Sequence, residues 1–195
     1  MIGADTRLFF TVVMVLVVVE RGVELALSIR NGRRARRRGG VEAGVAHYRW
    51  MVGVHTAFLA SCLAEVWLRK PPFFPALALT MLAVSAAAMA LRYWAITTLG
   101  ERWNTRVIAV PGDAVVSGGP YRFMRHPNYV AVAVEIVSLP LIHTAWRTAL
   151  VFGVANLILL RGRVRIEESM LSTASDYATV FADRRRFLPG RRGGE

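Results

Sequence analysis

Apolar residues occur along the 195-residue chain in long blocks and make up 54% of it. Few or no ionisable groups interrupt five of these blocks: 8–19, 50–68, 73–99, 129–142 and 148–160. A helix that spans a membrane needs about 20 mostly apolar residues, and three blocks approach or exceed that length once their flanks are included. The last two blocks are short and predict a helical hairpin that turns at 143–146. The pattern therefore predicts an all-α, polytopic membrane protein with about five transmembrane helices.

Basic residues lie next to these blocks and give the predicted topology a direction. Six arginines lie in 30–38, four in 100–128 and eight after Leu160. Because cytoplasmic loops of membrane proteins are rich in Lys and Arg, these regions are predicted to face the cytoplasm. The net charge of +12 is attributed to membrane lipids rather than to nucleic acid, since no zinc-finger or basic-zipper pattern occurs. The Arg- and Gly-rich residues 31–46 are predicted to form a solvated linker.

Ionisable residues in or beside the apolar blocks are functional candidates, because charge is costly inside a membrane. The group consists of Glu20, Arg21, Glu24, His55, Glu65, Arg92 and Glu135. For the three residues near the first block we expect an internal ion pair or an interfacial position. For the histidine and the two later glutamates we expect hydrogen bonds between helices. Arg92 lies near the inner end of its block, from which its side chain could extend to the headgroups.

A kinked polar segment, GGPYRFMRHPNY at 118–129, is the strongest sign of a binding site. Pro120 and Pro127 prevent one continuous helix across it. Irregular backbone at membrane depth persists only where it is buried in protein or lines a cavity. The aromatic, basic and imidazole groups of this segment therefore predict a shaped pocket.

A second polar segment, RGRVRIEESML at 161–171, follows the last apolar block. Arg163 and Glu167 are four residues apart, so they share one face if the helix continues. The alternative interpretation is an exposed salt-bridge pattern where the helix leaves the membrane. A functional role is favoured if this segment meets the 118–129 segment, which the hairpin between them makes natural.

Both segments resemble motifs of the isoprenylcysteine carboxyl methyltransferase family, integral membrane enzymes that use S-adenosylmethionine. GPYRFMRHPNY is similar to the family's G-x-Y-x-x-x-R-H-P-x-Y, and RGRVRIEESML to its Arg and paired-Glu signature. DYATVFADRRRFLP is similar to the family's aromatic and basic tail. The resemblance covers about residues 90–190 and implies a methyltransferase core there with a cytoplasmic cofactor pocket. The whole chain, 1–195, is predicted to be a single membrane domain, in which 1–89 form N-terminal transmembrane helices and an Arg-rich loop.

The resemblance also implies S-adenosylmethionine as the cofactor and assigns residues to its site. Cofactor-contacting positions are matched by Asp113, Ala114, Val115, Val116, Tyr121, His126, Pro127, Asn128, Tyr129 and Glu167. Arg163 matches a substrate-binding Arg, and we predict that it positions the substrate. Arg106 lies near a further cofactor-contacting position that is often Gln, and its contact with the cofactor stays open. No metal site is predicted, since Cys62 is the single cysteine and no ligand-spaced cluster occurs.

The methyl acceptor is predicted to be lipidic. The family's namesake acceptor is an isoprenylcysteine carboxylate, whereas bacterial relatives O-methylate long-chain alkylpyrones or alkylresorcinol-derived quinones. Of the 25 basic residues only Lys70 is Lys, a composition typical of bacteria, so the inner membrane is the predicted location. An anionic oxygen on a small lipid therefore ranks above a prenylated protein. Phospholipid N-methylation and a non-catalytic lipid-binding protein are the alternatives, and the sequence leaves the oligomeric state open.

Overall fold

The computed structural model describes residues 2–190, which form six helices, two short strands and three single turns of other helix types. The helices are α1 Ile2–Arg37, α2 Val45–Ala64, α3 Pro75–Leu99, α4 Pro127–Leu141, α5 Trp146–Ala174 and α6 Tyr177–Val180. The strands are β1 Val41–Ala43 and β2 Val107–Ala109. α2 continues as one π-helical turn, Glu65–Arg69, and 3-10 turns occupy Gly100–Arg102 and Gly119–Arg122.

Two helical segments within residues 2–190 are long and apolar enough to cross a membrane, Val45–Arg69 and Pro75–Arg102. Pro127–Leu141 is also apolar but shorter. Large apolar side chains also point outward on α1 and α5, where Leu16 and Ile158 are more than 60% exposed. The mostly helical architecture is confirmed, and the count of about five crossings stays a prediction.

The predicted helical hairpin is present, because α4 and α5 are joined by the short connection 142–145. Glu65 of the π-helical turn caps the start of α5. Its carboxylate accepts hydrogen bonds from the backbone N–H groups of Thr148 (2.7 Å) and Arg147 (3.3 Å) and from the Thr148 hydroxyl (2.6 Å). A carboxylate satisfies free N–H groups and complements the positive end of the helix dipole. The predicted bond between helices is thus confirmed for Glu65.

The predicted linker at 31–46 is wrong in its first half, because α1 continues to Arg37. Arg and Ala favour helix, so an Arg-rich stretch extends α1 rather than ending it. The buried Asn31 side chain also anchors this part, since its amide donates to the carbonyl oxygens of Trp103 (2.9 Å) and Gly100 (3.1 Å).

The all-α prediction needs a small correction, because β1 and β2 form an antiparallel pair with Val41 opposite Ala109. Glu42 of β1 accepts a hydrogen bond from Arg106 Nη1 (2.7 Å) and from Arg36 Nη2 (2.5 Å). These ion pairs join the end of α1 to the segment that precedes β2. Neither three-residue strand has a sequence pattern long enough to be recognised without its partner.

Four charged side chains, which we call the ionic layer, meet inside the bundle: Arg21 and Glu24 of α1, Arg92 of α3 and Glu135 of α4. Arg92 binds the Glu135 carboxylate through Nη2 (2.5 Å) and Nε (3.3 Å), and binds Glu24 through Nη1 (3.3 Å). Arg21 contacts the same two carboxylates. Its Nη1 atom lies 2.7 Å from Glu24 Oε2, and its Nη2 atom lies 2.9 Å from Glu135 Oε2. The layer therefore joins three helices.

The ionic layer corrects one expectation and confirms two. Arg92 is only 7% exposed, so its side chain does not extend to the headgroups. Its planar guanidinium instead matches the Glu135 carboxylate with two parallel bonds. The expected bond from Glu135 to a neighbouring helix and the internal pair of Arg21 with Glu24 are both present. Glu20 accepts a hydrogen bond from the Tyr93 hydroxyl of α3 (3.0 Å).

Replacing Glu65 by Ala is expected to lower the free energy of unfolding by about 2 kcal/mol, because the start of α5 loses a charged acceptor. Unfolding in detergent micelles measures this difference. Glu101→Ala is the control, since Glu101 pairs with Arg34 at the surface and an exposed pair contributes less than about 1 kcal/mol. Equal destabilisation by both variants would contradict the capping role.

Replacing Arg92 by Met is expected to lower the free energy of unfolding by about 3–5 kcal/mol, because two buried carboxylates then share only Arg21. Adding Glu135→Leu should recover part of this loss, since Arg21 and Glu24 remain paired. A double-mutant cycle under the same unfolding conditions measures the coupling. Strict additivity of the two substitutions would show that the pair is not coupled.

Candidate active site

A cavity of about 450 Å³, which we call the central cavity, lies among the helices at the end of the bundle that carries the 118–129 segment. One end of its wall is polar and includes Asp113, Tyr121, His126, Asn128, Arg163 and Glu167. The other end is apolar and includes Val17, Phe58, Leu59, Ile136 and Leu139. The ionic layer lies between them, since Val17 precedes Arg21 by one helical turn and Leu139 follows Glu135 by one turn.

The predicted site residues come together around this cavity. Ten of the eleven line it, namely Asp113, Ala114, Val115, Val116, Tyr121, His126, Asn128, Tyr129, Arg163 and Glu167. Pro127 is absent from the wall and begins α4 directly after His126. At that position its fixed φ and missing N–H suit the first turn of a helix. Pro127 therefore shapes the site through the backbone.

The backbone of the 118–129 segment is folded tightly against α3. Gly119 adopts a φ of 52°, and a Cβ atom there would lie 2.3 Å from Thr98 Oγ1, so a side chain does not fit. The turn that follows buries Tyr121 in a cluster that includes Phe181. Burial, and secondarily the Glu167 carboxylate, raise the pKa of the Tyr121 hydroxyl, which therefore stays protonated at neutral pH.

A chain of hydrogen bonds connects α4 to α5 on the cavity wall. The Tyr129 hydroxyl donates to Glu167 Oε2 and accepts from Arg163 Nε (3.0 Å). Arg163 Nη2 donates to the backbone carbonyl of Thr105 (2.8 Å). Arg163 Nε and Glu167 Oε2 lie 3.8 Å apart, so the prediction that these residues share one helical face is confirmed. Arg163 is 4% exposed, and three of its five N–H groups take no part in these bonds.

Glu168 and Arg186 hold His126 in one orientation, and neither residue was predicted as part of the site. His126 Nε2–H donates to Glu168 Oε1 (3.1 Å), because a carboxylate can only accept, and Arg186 Nη2 binds the same carboxylate (2.5 Å). Burial opposes ionisation of Glu168, but the bonds from His126 and Arg186 outweigh it and lower the pKa of Glu168 to about 2. The backbone of the tail also pairs with the segment, since the His126 N–H donates to the Arg186 carbonyl (2.9 Å). Two sequence features could have indicated these residues, namely the pair of adjacent glutamates and the basic C-terminal tail.

Two polar residues at the cavity wall already have protein partners. Asp113 Oδ1 accepts a hydrogen bond from Arg38 Nη2 (2.5 Å), and Asp113 Oδ2 lies 3.6 Å from Arg102 Nε. Arg106 binds Glu42 and lies over the Tyr48 ring, with its guanidinium carbon 4.4 Å from the ring centroid. These contacts hold the 100–116 segment against the end of α1 and against β1.

His55 differs from its predicted role. Its Nδ1–H donates to the carbonyl of Met51 (2.8 Å), one turn earlier in α2, so the expected hydrogen bond to another helix is wrong. The carbonyl four residues back lies within reach of the short imidazole side chain. Among residues 2–190, Nε2 makes no hydrogen bond, and His55 lines the central cavity beside the ionic layer.

Comparison with known proteins agrees with the motifs. The sequence profile of the isoprenylcysteine carboxyl methyltransferase (ICMT) family matches residues 77–173. The chain is 36% identical over 167 residues to the uncharacterized protein YpbQ of Bacillus subtilis, covering 85% of this chain and 98% of that relative. It is 26% identical over 166 residues to an uncharacterized protein of Haemophilus influenzae, covering 85% and 96%. The chain belongs to the isoprenylcysteine carboxyl methyltransferase family of membrane methyltransferases.

Proposed function

We propose that the protein transfers a methyl group from S-adenosylmethionine to an oxygen of a lipidic acceptor. The observation that carries this proposal is the lining of the central cavity, which is polar at one end and apolar at the other. Its volume of about 450 Å³ lies in the range of small-molecule sites. A water-soluble cofactor suits the polar end, and the tail of a membrane lipid suits the apolar end.

The residues at the polar end fit S-adenosylmethionine. The carboxylates of Asp113 and Glu167 can accept hydrogen bonds from its ammonium and ribose hydroxyls, and the ring of Tyr121 suits its cationic sulfur. The buried Oδ1 atom of Asn128 has no hydrogen-bond partner among residues 2–190. A buried acceptor of this kind is normally satisfied, and a donor group of the cofactor would satisfy it. When bound, the cofactor supplies an electrophilic methyl group.

Arg163 is suited to orient the acceptor. The Tyr129 hydroxyl and the Thr105 carbonyl hold its guanidinium before any ligand is present. A cation that is already fixed loses little freedom when it binds an anion, and methyl transfer depends on the in-line alignment of the reacting atoms. Arg163 would therefore position an anionic oxygen without having to remove a proton.

A small lipid with an acidic oxygen, such as a long-chain alkylpyrone, is the favoured acceptor. The cavity wall carries the buried Arg163, which attracts an anion and disfavours a cationic amine. O-methylation therefore ranks above phospholipid N-methylation. The site would face the cytoplasm, where the Arg-rich regions are predicted to lie.

The wild-type protein in detergent is expected to bind S-adenosylmethionine in isothermal titration calorimetry. Glu167→Ala should weaken this binding by at least about tenfold, because a charge-assisted hydrogen bond contributes roughly 1.5–3 kcal/mol. Asp183→Ala is the control, since Asp183 is exposed and does not line the cavity, and it should bind like the wild type. A folded wild type that is indifferent to the cofactor would favour the non-catalytic lipid-binding alternative.

Methyl transfer from labelled S-adenosylmethionine is expected with a long-chain alkylpyrone, and less or none with a farnesylcysteine derivative. Arg163→Ala should lower kcat/KM about a hundredfold, because a buried charged contact to the acceptor is lost. Arg161→Ala is the matched control, since Arg161 lies on α5 but is exposed and away from the cavity wall. Product from neither acceptor, with cofactor binding intact, would reject both acceptor classes.

A further inference from the structure

The ring of His55 has a defined orientation in the cavity wall. Its Nδ1 atom lies 2.8 Å from the Met51 carbonyl oxygen, which can only accept a hydrogen bond, so Nδ1 carries a proton. In the neutral ring the lone pair then resides on Nε2. That atom makes no hydrogen bond within residues 2–190, and His55 lines the central cavity. An unoccupied basic nitrogen is therefore held beside the region that would receive the acceptor.

The charged groups that face His55 belong to the ionic layer, with two arginines and two carboxylates from α1, α3 and α4. A third carboxylate borders the layer, because Arg21 Nε also lies 3.1 Å from Glu20 Oε2. Both arginines bind Glu24 and Glu135, so these two carboxylates already have cationic partners. His55 Nε2 has no such partner among residues 2–190 and is open to the cavity.

Glu24 adds a buried carboxylate to the same cavity. Its Oε2 atom is bound by Arg21 and Arg92, and its carboxyl group also shares a hydrogen bond with that of Glu20. The Glu24 residue is only 6% exposed and lines the central cavity. The wall of the cavity at this level therefore carries imidazole and carboxylate groups, which suits an acceptor with a polar ring.

We propose that His55 removes the proton from an acceptor hydroxyl that is neutral at physiological pH, as in a long-chain resorcinol. This inference rests on the proposed methyl transfer and extends it to acceptors that do not arrive as anions. The acceptor O–H bond breaks and its proton moves to His55 Nε2, while the oxygen forms a bond to the methyl carbon. The bond from that carbon to sulfur breaks, and its electron pair stays on the sulfur of the methyl donor. The imidazolium afterwards releases the proton to water.

The kinetic test compares two acceptors in one protein, a long-chain resorcinol that is neutral and a long-chain hydroxypyrone that is already ionised. His55→Gln is expected to lower kcat on the resorcinol by about a hundredfold or more, the usual contribution of a general base, and to change kcat on the pyrone by less than about threefold. His47→Gln is the matched control, because His47 lies on α2 but does not line the cavity.

Three kinetic outcomes would overturn the inference. Equal losses on both acceptors would show that His55 has a structural role. Unchanged rates on both would show that it takes no proton. A wild type that methylates the pyrone but never the resorcinol would show that the site requires an anion. Cofactor binding in calorimetry should be the same in wild type and His55→Gln, and its loss would assign His55 to the cofactor instead.

A second measurement tests proton removal alone and is made without a methyl donor. A nitrophenol with a long alkyl chain absorbs differently in its neutral and ionised forms, so its absorption reports proton loss on binding. Wild type and His47→Gln are expected to increase the ionised fraction of the bound probe at a pH just below the probe's own pKa, and His55→Gln is not. Identical spectra in all three proteins would overturn the inference. A difference at His55 without methyl transfer to any acceptor would instead count against the proposed function alone.

Discussion

The ion pair between Arg92 and Glu135 is the contact on which the rest of the arrangement depends. It joins α3 to α4, and Arg21 and Glu24 extend it to α1. A buried charge that loses its partner costs several kcal/mol, so the three helices are constrained to one relative depth and rotation. Tyr129 lies six residues before Glu135 on α4. The position of the ion pair therefore also sets where Tyr129 meets Arg163 and Glu167 of α5.

The candidate site is assembled from segments that are far apart in sequence. Hydrogen bonds within the protein hold each of these segments in place without a ligand. Arg163 is bound to the Tyr129 hydroxyl and the Thr105 carbonyl, and His126 is bound to Glu168. The C-terminal tail pairs with the 118–129 segment through backbone hydrogen bonds. Such bonds hold polar side chains in one orientation, which is the requirement of a reaction whose rate depends on alignment.

The wall of the central cavity has three successive levels, each of which suits a different part of the proposed reaction. The groups that we propose to bind the cofactor occupy the polar end, the ionic layer and His55 lie next, and apolar side chains such as Phe58 and Leu139 form the far end. An acceptor with a polar ring and a long tail matches this order, because each part of it meets groups of its own polarity. The ionic layer would then have two roles, as a structural joint between helices and as the surroundings of the acceptor's head group.

Much of this architecture could be predicted from the sequence, because local patterns govern it. Apolar blocks predict helices, and the two prolines and Gly119 bend the chain into the turn seen before α4. Ten of the eleven predicted site residues line one cavity, since each motif occupies a single turn or helical face.

Other contacts depended on the tertiary structure. Arg92 and Glu135 are 43 residues apart, Arg21 and Glu135 are 114 apart, and His126 and Glu168 are 42 apart. Whether such side chains meet depends on the rotation and depth at which the helices pack, which no local pattern encodes. The sequence by itself determined the helices and the chemistry available at the site. Only the tertiary structure decided which charges neutralise one another and which nitrogen stays unpaired, because a buried charge takes its partner from whichever helix lies against it.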